Sequence, residues 1–252
     1  MLYRDYLPKD LEGQRLEHKL DGTVVVQAAA TLAESDYLLK LSESEASILG
    51  VVTWLDLADP EYASHYERFA KHPKFVGIRV MIQEMADAGA VLEPEFVEAL
   101  TFLAKREVPV DLLVVSHQLE PVVELLEQVP GLRGVIDHIA KPRIREGVME
   151  PWKSQMARIA ASSPQLYCKL SGMVTEADHT SWKRDDFAAY IKHVLDIFGP
   201  ERVMFGSDWP VCLLAASYDE VIELVEESLP VSWTAEDRER LFGLNAKEFY
   251  KI

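Results

Sequence analysis

The chain has 252 residues, 48% of them hydrophobic, enough apolar material for one large α/β domain or two small ones. Its 42 acidic against 26 basic side chains leave a formal charge of −16, which disfavours partners that demand clustered Lys and Arg, namely nucleic acid and anionic membrane. The two cysteines, Cys168 and Cys212, lack CxxC spacing and read as reduced, buried side chains. No secretory leader is recognisable, nor any run of the roughly 18 apolar residues that a membrane span needs, so a cytoplasmic protein is expected.

In chain order, residues 3–8 read as a loop leading into a helix. Then short β-rich runs alternate with amphipathic stretches. The run 22–27 (GTVVVQ) precedes a helical pattern around 35–41, 48–57 precedes one around 61–71, and 75–83 precedes 93–106. Farther on, 110–116 precedes 121–129, 134–138 precedes 152–161, 166–170 precedes 185–198, and 203–205 precedes 217–228. Thr234, followed by Ala235, Glu236 and Asp237, opens a closing helix that runs to Tyr250. Seven βα units spaced at about 25 to 35 residues predict a wound or closed parallel sheet in one domain over residues 1–252. That is one strand fewer than a (β/α)8 barrel, and the strand without a counterpart is the first.

Nearly every apolar run ends in a side chain that is expensive to bury without a purpose: Gln27, Asp56, Arg79 with Gln83, His117, Asp137 with His138, Lys169 with Ser171, and Asp208. Parallel α/β folds gather such strand ends on one face. Asp208 is the clearest case, because the run 203–205 opens into Gly206, Ser207, Asp208, Trp209 and Pro210, residues that stop a strand. Side chains alternate along a strand, so only one of Asp137 and His138 is expected at the mouth; we place His138 there and Asp137 behind it or in a cap. Lys169 either joins the mouth or extends its ammonium to solvent, and Arg79 either joins it or pairs with Glu84 or Asp87. His18, His65, His72 and His193 read as surface helix, and His179 as part of a polar loop. A carboxylate, imidazoles and cations on one face suit hydrolysis, in which a carboxylate takes a proton from water and an imidazole returns one to the leaving oxygen. No GxGxxG, GxxxxGK[ST] or GxSxG motif competes for a nucleotide or serine-hydrolase reading.

Four segments occur in order: Ile136-Asp137-His138-Ile139-Ala140-Lys141-Pro142, Tyr167-Cys168-Lys169-Leu170-Ser171-Gly172, Phe205-Gly206-Ser207-Asp208-Trp209-Pro210 and Phe242-Gly243-Leu244-Asn245-Ala246. Together they resemble the amidohydrolase-related TIM-barrel family (amidohydrolase 2), in the branch of sugar-lactone hydrolases similar to L-fuconolactonase and L-rhamnonolactonase. The resemblance spans essentially the whole chain. It implies a metal-dependent-hydrolase type of (β/α)8 barrel that is missing its first strand, truncated at the N-terminus relative to the family, and that opens a small aldonolactone of carbohydrate metabolism with activated water. Asp208 and His138 are then catalytic, and Arg79, Lys141, Lys169 and Trp209 bind substrate. A divalent metal, zinc first, would be held by His117 and Asp208. That ligand set is incomplete, because the family's His-x-His pair has no counterpart here, and metal-free catalysis is the other branch of the expectation. Two alternatives stay open: a non-catalytic barrel whose open edges pair in a homodimer, and a related decarboxylase or hydratase acting on an aromatic acid.

Overall fold

The structure, a computed structural model describing residues 2–252, turns the seven apolar runs into seven parallel strands. These are β1 (Thr23–Val26), β2 (Ile48–Trp54), β3 (Phe75–Met81), β4 (Val110–Leu113), β5 (Gly134–Ile136), β6 (Tyr167–Leu170) and β7 (Val203–Phe205), paired in chain order. The helices are α1 (Pro8–Glu17), α2 (Leu32–Ser44), α3 (Tyr62–Phe69), α4 (Pro94–Ala104), α5 (Leu119–Gln128), α6 (Trp152–Ser162), α7 (Asp185–Phe198), α8 (Tyr218–Ser228), α9 (Ala235–Glu239) and α10 (Asn245–Tyr250). No helix among the described residues is long and apolar enough to cross a membrane.

The strands read as continuous apolar runs because both of their faces are covered, as parallel sheets require. One large cluster, including Ile78, Leu100, Leu112, Leu125 and Ile159, fills the space between sheet and helices. A smaller one, Val52, Val76, Val135, Met204, Phe249 and Tyr250, lies on the opposite, concave face. Contacts that skip a strand show the curl: Lys169 of β6 reaches Asp111 of β4, and Arg79 of β3 donates to the carbonyl of Gln27 beyond β1. The sheet is thus a curled half-barrel, and among the described residues β1 and β7 form its two edges.

Helix starts follow their capping residues. Thr31 accepts from the amide of Glu34 at 3.1 Å and Ser217 from that of Glu220 at 3.2 Å, satisfying amides that have no partner within the helix. The closing helix begins at Thr234 as the sequence predicts, but a π-turn at Arg240–Leu244 divides it into α9 and α10. Asn245, the first residue past that turn, donates from Nδ2 to the carbonyls of Pro200 and Val203, each at 2.7 Å. This clamp holds α10 at the N-terminal end of β7, from which Phe249 and Tyr250 enter the concave face.

Candidate active site

The strand read over 134–138 stops at Ile136, and that early stop decides the site. Residues 137–140 form a tight turn in which His138, Ile139 and Ala140, then Lys141, all have positive φ, between 45° and 58°. Four successive non-glycine residues in the left-handed region are costly, and they persist only where the surroundings hold them. Trp152 braces the turn by donating from Nε1 to the carbonyl of Ile139 at 2.7 Å. Strand alternation therefore does not apply to Asp137 and His138, and both side chains point inward, contrary to the sequence expectation of one.

Gly172 makes room for His138. It has φ +61°, and a Cβ there would lie 2.7 Å from Cγ and Nδ1 of the imidazole. The neighbouring Ser171 hydroxyl is hydrogen-bonded to His138 Nδ1 at 2.8 Å, which leaves Nε2 facing Asp208, 3.7 Å from its Oδ1. Burial holds the imidazole below its usual pKa although Asp208 and Asp137 oppose this, so the neutral ring prevails at neutral pH. The Gly172→Ala variant is expected to lose stability by roughly 1–3 kcal/mol and to displace the imidazole. Chemical denaturation together with the NMR signals of His138 checks this; unchanged signals would refute the packing argument.

Below the turn lies a buried ionic cluster. Lys169 is bonded to Asp111 and lies 2.8 Å from Asp137, whose other oxygen is 3.6 Å from Arg79. The Tyr250 hydroxyl donates to Asp111 at 2.9 and 3.1 Å. Asp111 and Asp137 are 0% and 1% exposed. Burial pushes the Asp111 carboxyl up to about 6, whereas at Asp137 the charges of Lys169, His138 and Arg79 outweigh burial and hold it at about 2. Lys169 does not extend to solvent, and Arg79 pairs with Asp137 rather than with Glu84 or Asp87. Both cations are already engaged with carboxylates, so the structure gives them a supporting place beneath the mouth.

Of the other residues singled out by the sequence, Lys141 and Trp209 are half-buried, Lys141 ending the turn that carries His138 and Trp209 following Asp208 in the chain. Lys141 belongs to no ion pair among the described residues, and Trp209 meets the edge of Tyr6, their ring centroids 5.4 Å apart. His117 is exposed on the turn Ser116–Gln118. His18 is no free surface residue: it ends α1 with Nε2 2.6 Å from Asp219. Asp111 and Tyr250 were not foreseen, although an Asp inside the apolar run 110–116 was a signal of a buried partner.

A zinc site wants three or four protein ligands. Among the described residues the only set of three ligating groups that converges is Glu17, His18 and Asp219, where the end of α1 meets the start of α8. His117 and Asp208 join no such set, so the donors at the mouth do not complete a zinc shell.

Comparison with known proteins agrees with this architecture. A family model described as amidohydrolase matches residues 1–252. L-fucono-1,5-lactonase from Burkholderia multivorans is 37% identical, with all of this chain and 88% of that protein covered. L-fucono-1,5-lactonase from Burkholderia ambifaria is 35% identical, with all of this chain and 87% of that protein covered. A crystal structure of a Burkholderia multivorans amidohydrolase with bound zinc superimposes with a TM-score of 0.93 at 37% identity, covering all of this chain and 90% of that one.

Proposed function

Because the chain belongs to the amidohydrolase family, we propose that it hydrolyses a small sugar lactone, with Asp208 and His138 as its acid–base pair. The observation that carries this reading is the 3.7 Å separation of His138 Nε2 from Asp208 Oδ1. One water about 2.8 Å from each atom is held by both at ordinary hydrogen-bond lengths. As this oxygen bonds to the lactone carbonyl carbon, its proton passes by way of Asp208 to Nε2 of His138, which becomes an imidazolium, and the carbonyl becomes an oxyanion. Collapse of the oxyanion breaks the bond to the ring oxygen, which takes a proton from the imidazolium of His138. The product is an open-chain hydroxy acid that releases one proton at neutral pH.

Lys141 is the cation suited to the oxyanion, since Arg79 and Lys169 are engaged with Asp137 and Asp111. Trp209 offers an apolar wall for the sugar ring. Ser171 orients the imidazole through Nδ1, and Gly172 admits the ring. The zinc of the related structure has no complete ligand set at this mouth among the described residues.

A pH-stat assay over 1,4- and 1,5-aldonolactones tests the proposal. Stoichiometric proton release with formation of the hydroxy acid is expected. No release from any lactone, with carbon dioxide liberated from hydroxybenzoates instead, would replace lactone hydrolysis by decarboxylation.

A further inference from the structure

We infer that Tyr250, Asp111 and Lys169 form a positioning arm through which the C-terminal helix sets the placement of His138. The arm acts on the acid–base pair proposed above and rests on that reading. The Tyr250 hydroxyl, from α10, shares its one proton between the two carboxylate oxygens of Asp111, 2.9 and 3.1 Å away. Asp111 accepts from Lys169, whose ammonium is 2.8 Å from Asp137, and Asp137 immediately precedes His138 in the chain. Each member is nine-tenths or more buried: 4% exposed at Tyr250, 0% at Asp111, 8% at Lys169 and 1% at Asp137.

The arm has a physical reason to exist. The left-handed turn that carries His138 is not a conformation its sequence prefers, so something outside the turn must hold its first residue. Trp152 supports the turn from the helix side, and Lys169 holds it from the concave side through Asp137. Lys169 is in turn fixed by Asp111. An ammonium between two carboxylates would be free to follow either one if Tyr250 did not anchor Asp111. The phenol is supplied by α10, which Asn245 clamps to the start of β7. None of the three reaches the space between His138 and Asp208, so they are positioning residues.

The test uses the full chain with three variants: Tyr250→Phe, Asp111→Asn and, as a packing control on the same helix, Phe249→Leu. For Tyr250→Phe the expected result is a kcat lowered roughly 10- to 100-fold with KM nearly unchanged, the signature of a displaced reacting group. The acid limb of its pH profile should also move upward. Asp111 must be ionised to hold Lys169, its carboxyl lies near 6, and loss of the phenol donor raises it further. The groups facing Asp111 are Lys169 from β6, Asp137 beyond β5, Tyr250 from α10 and Arg79 opposite it on β3, so the limb belongs to this cluster as a unit. Asp111→Asn should lower kcat as strongly and abolish that limb.

A readout independent of turnover is the set of imidazole NMR signals of His138. They should shift in Tyr250→Phe and Asp111→Asn but not in Phe249→Leu, although Phe249→Leu lowers the unfolding temperature. Unchanged His138 signals in the first two variants, or equal shifts in all three, would overturn the arm. Shifted signals without any change in kcat would overturn it too. If the wild-type protein turns over no lactone while the signals shift as stated, the lactonase reading fails and the arm stands.

Discussion

Asp208→Asn should lower lactone turnover roughly 10²- to 10⁴-fold, the range a positioned acid or base contributes. The substitution removes a proton acceptor and little else. Asp208 has φ +55°, a region that Asn tolerates as well as Asp does, so neither strain nor volume changes at the end of β7. The thermal midpoint should stay close to that of the wild type, which separates lost chemistry from lost fold. His138→Asn tests the partner, since Asn also accepts the left-handed conformation of residue 138. The double variant should be little worse than either single one, because a pair that activates one water fails as a unit. Substantial turnover by a folded Asp208→Asn protein would remove Asp208 from the mechanism.

Lys169→Met should cause the largest loss of stability, about 3–5 kcal/mol, because it leaves two buried carboxylates without their shared ammonium. The pH dependence carries the sharper signature. In the wild type the Asp137 carboxyl, held at about 2, contributes stability that is present above the ordinary carboxylate range and is lost as pH falls toward 2. Asp111, raised to about 6, acts in the opposite sense, its contribution being lost as pH rises through about 6. Without Lys169 both carboxyls are raised by burial, so both contributions decline with rising pH. The gap between wild type and variant should therefore widen between about pH 5 and pH 8, as urea unfolding at each pH would show. A gap that does not change with pH would mean that the cluster is held by packing and not by charge.

The alternation of apolar runs with amphipathic stretches determined the seven strands and their helices, since each strand needs only covered faces and each helix one apolar stripe. Local chemistry also determined the starts of α2 and α8 at Thr31 and Ser217 and of the closing helix at Thr234. Asp208 and His138 were legible as candidates for the proposed acid–base pair because a carboxylate and an imidazole stand in short motifs just where apolar runs stop. Only the tertiary structure decided that the strand ends at Ile136, turning Asp137 inward along with His138. The turn that does this is unfavourable locally and is held by Trp152, with room for the imidazole left by Gly172. Arg79 and Lys169 were legible as polar strand ends, but not as partners of Asp137, and Tyr250 gave no sign of reaching Asp111 across 139 residues of chain. The reason is physical. Periodicity and capping express forces between near neighbours in the chain, whereas the partner of a buried charge is selected by the curl of the sheet, which brings remote strands and the last helix into one low-dielectric space.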